Sequence, residues 1–600
     1  MSTDKKSANK ILNCVLIALI ILTIFFLQYI FRSADDNRLT SWEWAFARVD
    51  LTWFVVVLSL GMVAAYIISR SHFFQRMPAT LLFLFAFVIS MLFWREPELL
   101  VDTSRYFTQA KHLELYGVQY FFQEWGKGIF AWTDLPLVSF LYGLVFTLLG
   151  ESRLFIQIFT TVLFALTCVL VYFTGKKLWD EETGFLAGIL LLAMPYLFSQ
   201  IPQMLIDVPT MFFLALSIFT FLKAMEKGGN WVYFSSIAIF STIFSKYSTW
   251  IMLSVLPVIW LVSMVQQIQR SAVSSQKSEY KIPHPPFTKE EQREILQTPN
   301  SKLRTQVIFY RGISVLFITG IFAAIVISLK FDVIVQQLKL LQEYQAPGLD
   351  RWGESFISTF LFQVHPIITI AALYAVYEAF RKRDLKFVII SWLMLLIVIL
   401  QIRRSRYVFV TFPMLSLMAA YGLQRIKTAE LRRFIAFGAV FSALIVAIVA
   451  YLPFLQNMSV VNISDAGMFL NSVHAEEIRV FTIPSDETIV NLAVTVPMLD
   501  LFTVGKISYR DDSKFSPPTE EIRESPLRFT WEFQNPGYYG GDGKSSSRSV
   551  PVVVISNGHI TTVPDDVAAT LKGYRKNKVF DTSDDLFGFN PFVTVYLPEK

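Results

Sequence analysis

The sequence is poor in cysteine, charge and histidine, and each shortage removes a class of protein. Its two cysteines, Cys14 and Cys168, both lie in apolar runs, so no disulfide framework of an exported domain is present. Charged residues make up 17% of the chain against 54% hydrophobic, a balance foreign to a soluble globular protein of 600 residues. The histidines at 72, 112, 284, 365, 474 and 559 are scattered, without the spacing of zinc ligands. No glycine motif that cradles phosphate follows a strand, and neither an internal repeat nor a low-complexity tract is found. The net charge of +6 is spread over loops, which makes nucleic acid a poor partner.

What the chain has in abundance is apolar length. Stretches long enough to cross a bilayer as helices recur at 11–31, 51–69, 79–94, 154–174, 183–200, 207–225, 231–245, 249–265, 309–329, 356–379, 387–402, 407–424 and 433–454. The fold class is therefore a polytopic α-helical membrane protein of about 13 spans. The stretch 135–150 opens with Pro136 and closes with Gly150, and reads as a re-entrant or juxtamembrane segment that does not cross. With that choice Lys176, Lys177, Lys227, the basic 266–308 loop, Arg381–Arg383 and Arg425–Arg432 all fall on the cytoplasmic side, as positive-inside bias requires. The N-terminus is then cytoplasmic, and 11–31 is a retained anchor too long for a cleaved signal peptide.

Past 456 the apolar runs shrink to strand length, at Ile478–Ile483, Val550–Ile555 and Phe592–Leu597. Asp565–Lys576 reads as a helix between two of them. The expected organisation is a two-span extension at 1–78, a transmembrane unit at 79–455, and a C-terminal extracytoplasmic α/β domain at 456–600.

The candidate chemistry sits where helices meet the outer face. Asp102 follows the 79–94 span, with Arg105, Tyr106 and Ala110 on the same face of a helix at 102–123. That helix is expected to lie on the membrane, with Tyr106, Phe107, Leu113, Tyr116 and Phe121 in the interface. Asp102 is either a helix cap or a catalytic base. Asp207, two residues before Pro209, is either a helix cap or a second functional carboxylate on the same outer face. Lys246 is either a snorkelling helix-end lysine or a phosphate or sugar contact. Arg403, Arg404 and Arg406 form an outer turn against the charge bias, and a cation at that depth costs about 2.5–3.5 kcal/mol. Held there, they suit an anion such as a lipid phosphate. Asp102, Asp207 and Glu98 are the candidate ligands should a divalent cation serve as cofactor, although Glu96 and Glu98 read more simply as solvated. Asn457 and Asn462 begin glycosylation sequons.

The order of these signals resembles the glycosyltransferase-C superfamily, in its protein O-mannosyltransferase and lipid A aminoarabinose transferase branch. The residues that carry the resemblance are Asp102 with Arg105 and Tyr106, Asp134-Leu-Pro-Leu137, Gly150-Glu-Ser-Arg-Leu154, Gly175-Lys-Lys-Leu178, Met194-Pro195, Asp207-Val-Pro209, Lys246, and Arg406-Tyr407 with Pro413. They span roughly 80–425. The chain departs from the pattern in having Thr103 where the family commonly has Glu, Asp134-Leu-Pro136 where Lys-Pro-Pro is usual, and two spans rather than one before the loop's own helix.

The resemblance implies a membrane glycosyltransferase. It would move a sugar, with inversion, from a polyprenyl-phosphate donor to an acceptor hydroxyl on a glycan, lipid or protein at the outer face. Asp102 and Asp207 would be catalytic. Arg105, Tyr106, Lys246, Arg403, Arg404, Arg406 and Tyr407 would bind substrate. Two other classes compete from the sequence alone: a transporter or flippase for a lipid-linked glycan, and a non-catalytic scaffold with an exported domain.

Overall fold

A computed structural model describes residues 2–71, 76–98, 102–279, 301–483, 490–509, 525, 527–540, 550–559, 563–584, 586 and 589–599. His72, His284, the basic segment at 280–300 and the glycines at 541 and 543 lie outside them. Among the described residues, eight helices are long and apolar enough to cross a membrane, from Lys10–Ile30 to Ala429–Gln456. Three shorter apolar helices, Pro78–Met91, Pro136–Leu149 and Leu385–Ile399, stand among them. This is the polytopic helical architecture expected, with fewer uninterrupted long helices than the sequence runs suggest.

Two of the expected spans are broken, each at a proline. The 183–200 stretch forms Glu181–Leu191 and then a separate turn, Pro195–Phe198. The 356–379 stretch is a π-helical turn at Ser358–Gln363 followed by Pro366–Lys382. A proline has no N–H to continue the ladder but suits the first turn of a new helix, so each restarts there. His365 caps the second restart by accepting from Ile367 N at 3.2 Å, which accounts for that histidine as structural.

The Asp102–Glu124 helix forms as expected, kinked at Gly117 where φ is +82°. Its surroundings differ from the expectation. Tyr106, Phe107, Leu113 and Phe121 are buried within the protein, and only Tyr116 is exposed. The helix packs against Pro136–Leu149 so closely that a Cβ at Gly143 would stand 2.7 Å from Leu113 Cβ and 2.9 Å from the Ala110 carbonyl oxygen. Aromatic residues that the sequence assigns to lipid are thus satisfied by a neighbouring helix.

The C-terminal domain holds a five-stranded mixed sheet in the order β2-β1-β3-β5-β4. The strands are β1 (Glu477–Ile483), β2 (Lys506–Tyr509), β3 (Val552–Asn557), β4 (Tyr574–Phe580) and β5 (Pro591–Pro598). β1 is parallel to β2 and β3, whereas β5 runs antiparallel to both β3 and β4. The helix expected over Asp565–Lys576 covers only Asp565–Thr570. Gly573, with φ +85°, ends that turn, and the charged stretch beyond it forms the edge strand β4. Exposed lysine and arginine on an edge strand discourage pairing with another sheet. Asn462 is 2% exposed and its amide donates to Thr582 O and Pro591 O, so its sequon is occupied by packing.

This domain rests on the Asp102–Glu124 helix. Ser104 Oγ donates to Val494 O at 2.5 Å, and Lys111 Nζ lies 2.6 Å from Asp500 and 3.0 Å from Glu151. Tyr539 donates to the same Asp500 oxygen at 2.7 Å. The helix that carries Asp102 is therefore clamped on one side by Pro136–Leu149 and on the other by the sheet domain.

Gly143→Val is expected to destabilise the fold by about 1–3 kcal/mol through overpacking at the helix contact. Gly320→Val, in a helix where nothing lies within 4 Å, is the comparison and leaves the thermal midpoint in detergent unchanged.

Candidate active site

Asp102 opens its helix, yet neither carboxylate oxygen caps it. Oδ1 accepts from Arg105 at 3.0 Å, and Oδ2 pairs with Arg406 Nη1. Asp207 likewise opens a helix without capping it. Its Oδ2 lies 2.7 Å from Arg406 Nε and its Oδ1 2.6 Å from Lys246 Nζ. The Arg406 guanidinium thus bridges two carboxylates that stand 105 residues apart in the chain. Arg105 makes a second such bridge, from Asp102 to Asp134 Oδ2 at 3.2 Å. Three carboxylates and three cations alternate as Lys246–Asp207–Arg406–Asp102–Arg105–Asp134.

The alternation is enforced locally. Arg406 follows Ser405, whose N–H donates to Glu354 at 2.6 Å. Asp134 is held by Gln109 Nε2 at 3.3 Å, and Gln109 in turn accepts from Ser139 Oγ at 2.6 Å. Lys246 stands 4.6 Å from the centroid of the Tyr407 ring, whose hydroxyl accepts from Gln345 at 3.0 Å. Glu98 registers both aspartate segments at once. It takes Arg153 on one oxygen at 2.9 Å, and on the other Thr103 Oγ1 at 3.0 Å and Met204 N at 3.2 Å.

The chain of charges opens onto a cavity of about 420 Å³. Asp102, Arg105, Asp134, Lys246 and Arg406 line it, and Asp207 stands immediately behind the last two. Tyr106 lines it too, with its ring 5.8 Å from the Arg105 guanidinium carbon. Arg351, Arg404 and Arg528 also line it, with Trp352 and Tyr344. Arg404 stacks on Trp352 at 3.7 Å and Arg528 on Tyr344 at 4.5 Å. Among the described residues, no carboxylate lies within ion-pair distance of these three arginines.

Of the residues singled out in the sequence, the structure brings Asp102, Arg105, Tyr106, Asp207, Lys246, Arg404, Arg406 and Tyr407 to one place. It does not bring Arg403, which is exposed and donates to Gln401 at 3.1 Å. Glu98 faces Arg153 and the backbone of 204 rather than the cavity. Among the described residues, no three His, Cys, Asp or Glu side chains are grouped to hold a metal ion. The donor set does not fit a divalent cation, since Asp102, Asp207 and Glu98 are each matched to a cationic side chain.

Sequence reasoning missed Asp134 as a site residue, and with it Arg351, Tyr344 and Arg528. Asp134 had a signal, a carboxylate immediately before the Leu-Pro of a helix start. Arg528 had none, because it lies in the C-terminal domain and reaches the cavity only through the tertiary fold.

The two carboxylates on Arg105 differ in proton affinity. Burial favours the neutral form of Asp102, but the Arg406 and Arg105 guanidinium groups outweigh it and hold this carboxyl well below the usual range. Burial pushes Asp134 up, with Arg105 only partly offsetting it. On acidification Asp134 therefore takes its proton first, above the ordinary carboxylate value, while Asp102 stays ionised.

Residues 134–276 match the family model described as dolichyl-phosphate-mannose-protein mannosyltransferase. The resemblance read from the sequence is borne out over this segment. It contains Asp134, Asp207 and Lys246. Among solved structures, the chain is similar to ArnT from Cupriavidus metallidurans bound to undecaprenyl phosphate, at 12% identity over 86% of this chain and 97% of that one, with a TM-score of 0.47. It is also similar to the Archaeoglobus fulgidus oligosaccharyltransferase tethered with an acceptor peptide, at 11% identity over 81% and 70%, with a TM-score of 0.44. No curated protein matches.

Removing one member of the buried alternation strands its partners. Asp207→Asn leaves Lys246 and Arg406 undercompensated and is expected to cost about 3–5 kcal/mol, seen as a lowered thermal midpoint in detergent. Arg406→Lys is expected not to restore stability, since a single ammonium centre does not reproduce the two separate contacts that the guanidinium makes through Nε to Asp207 and Nη1 to Asp102.

Proposed function

We propose that the protein is a membrane glycosyltransferase that moves a sugar from a polyprenyl-phosphate donor to an acceptor hydroxyl at the outer membrane face. The observation that carries this reading is the Asp102–Arg406–Asp207–Lys246 chain opening onto a cavity that is also lined by Arg351, Arg404 and Arg528 and by aromatic rings. A transporter has no need of a carboxylate fixed by two guanidinium groups at a cavity wall, and a scaffold has no need of the cavity.

In the proposed reaction the acceptor hydroxyl approaches Asp102, which is ionised and oriented by Arg105 and Arg406. Each carboxylate oxygen has a second lone pair available beyond its guanidinium contact. Asp102 receives the hydroxyl proton as the oxygen attacks the anomeric carbon. The bond from that carbon to the phosphate oxygen breaks with inversion, and the electron pair leaves with the lipid phosphate. The growing charge is met by cations already in place. Lys246 and Arg404 are the proposed phosphate contacts, both beside the Tyr407 ring at 4.6 and 5.6 Å from its centroid. Asp207 acts at one remove, setting Arg406 and Lys246. The acceptor is a glycan, lipid or protein hydroxyl, and the sugar is a hexose or pentose. The ArnT structure with undecaprenyl phosphate and the oligosaccharyltransferase with its peptide illustrate both kinds of occupant, in proteins of similar outline.

The decisive assay follows transfer from a radiolabelled polyprenyl-phosphate sugar in membranes containing the wild type or Asp102→Asn. Loss of about 10²–10⁴-fold in rate is expected for the variant, as for removal of a general base. Equal rates in both would overturn the assignment of Asp102. The pH profile separates the two carboxylates on Arg105. Protonating Asp134 leaves Arg105 wholly to Asp102 and lowers its basicity, so the wild-type rate falls on acidification. Asp134→Asn flattens that acid limb.

Orientation is tested in a cysteine-free background. A cysteine in place of Val504, which is 90% exposed, is expected to react with an impermeant reagent from outside. A cysteine in place of Arg381, in the basic last turn of Pro366–Lys382, reacts only after the membrane is opened. The reverse pattern would invert the proposed topology.

A further inference from the structure

The loop between the first two N-terminal helices carries a buried polar network that the proposed reaction does not use. Asp35 is 2% exposed, and among the described residues no cation pairs with it. Its carboxylate instead collects four neutral donors. Oδ1 accepts from Ser358 Oγ at 2.6 Å and Asn37 N at 3.2 Å. Oδ2 accepts from Trp42 N at 2.9 Å and Gln363 Nε2 at 3.0 Å. The neighbouring Asp36 accepts from Ser355 N at 2.9 Å. Two adjacent carboxylates thus hold both ends of the 355–363 segment.

That segment leads directly to the site. Glu354, one residue before Ser355, accepts from Ser405 N at 2.6 Å. The hydroxyls of Thr359 and Ser405 stand 3.0 Å apart. Ser405 is the residue before Arg406, whose guanidinium must sit between Asp102 and Asp207. The same loop delivers Leu39 to the cavity wall, its N–H and that of Thr40 accepted by Asn37 Oδ1 at 2.8 and 3.0 Å.

Cohesion alone does not account for this network. The two N-terminal helices are already joined by Phe25, Trp42, Phe46 and Phe54, with Phe25 stacked on Phe54 at 4.3 Å and Trp42 on Phe46 at 4.5 Å. A buried carboxylate without a cation is a costly way to add adhesion to an apolar contact. What a fully satisfied acceptor of four donors adds is fixed geometry.

We infer that Asp35 is a positioning residue for the site: it fixes the 354–363 segment, and through Glu354 and Thr359 it sets Ser405 and the Arg406 guanidinium between Asp102 and Asp207. The N-terminal two-span extension is then part of the catalytic apparatus, although it lies outside the 134–276 match. The kinetic part of this inference rests on the proposed transfer reaction, whereas the linkage itself does not.

The test therefore has two arms. In the transfer assay, Asp35→Asn is expected to lower kcat about tenfold per folded molecule, with the donor KM changed less than about twofold, because a displaced Arg406 degrades orientation more than binding. Phe46→Leu, which loosens the same loop through its apolar contact, lowers the thermal midpoint but keeps the wild-type kcat. An Asp35→Asn protein that melts earlier yet turns over at the wild-type rate would overturn the inference. The second arm needs no activity. A double-mutant cycle of thermal midpoints pairs Asp35→Asn with Glu354→Gln. The double variant is expected to lose less than the sum of the singles, whereas additive losses would mean the two groups are unlinked and would overturn the inference. A wild type inactive toward every polyprenyl-phosphate sugar would count against the reaction, while the cycle would still decide the linkage.

Discussion

One guanidinium group holds the site together. Arg406 pairs with Asp102 through Nη1 and with Asp207 through Nε, and among the described residues no other side chain pairs with both. Arg406 is only 7% exposed, so water supplies little of its compensation. Taking such charges out of water costs several kcal/mol per ion, and the cost is recovered only where partners are close and well aligned. The alternation with Lys246 and Arg105 meets that condition, because every anion has a cation on either side or a hydrogen-bonding amide in its place. The price of the arrangement is rigidity. Every helix that supplies a member is fixed relative to every other, and the remainder of the fold can be understood as the means of fixing them.

That constraint also bears on Asp102. A carboxylate between two guanidinium groups is a weak base held in one orientation, and any further negative charge lost from its neighbours weakens it more. The same logic sorts the cations. Arg105 and Arg406 are already matched by aspartates and present little net field to a ligand. Arg351, Arg404 and Arg528 line the cavity without such partners among the described residues, and Arg404 and Arg528 stack on aromatic rings. The cavity thus combines cations matched by carboxylates with cations that have no carboxylate at ion-pair distance among the described residues.

The membrane architecture was legible because bilayer thickness imposes a length on each apolar run, and composition alone reports that length. Asp102, Asp207, Lys246 and Arg406 were legible for the opposite reason: each is a charge where the surrounding pattern calls for none. The errors arose where a local pattern has two solutions. The aromatic face of 102–123 suits lipid or a neighbouring helix equally well, and only the close approach at Gly143 decides for the helix. Arg403 and Arg404 are adjacent and chemically identical, so nothing in the sequence separates the one that stacks on Trp352 from the one that faces solvent. The stretch 565–576 begins with helix formers, and the positive φ at Gly573 is what turns its second half into a strand. Asp134 and Arg528 show the limit from another side, since their role depends on contacts with residues far away in sequence.

Both ends of the chain complete the cavity, and this follows from the geometry of the transmembrane unit. The two aspartates open helices at its rim, and a rim open to water would screen the charges on which the alternation depends. The N-terminal loop closes one edge by placing Leu39 beside Asp102 and Tyr106. The C-terminal domain closes another, seating Ser104 under Val494 and carrying Arg528 over Tyr344. These additions meet at a single apolar cluster, in which Leu39, Tyr106 and Leu501 pack together although they come from the first, second and last parts of the chain. A helix bundle alone can bring the charged residues to one level, but it cannot roof them. The segments outside the helical core provide the cover, and the buried network at Asp35 shows that at least one of them is also tied to the position of Arg406.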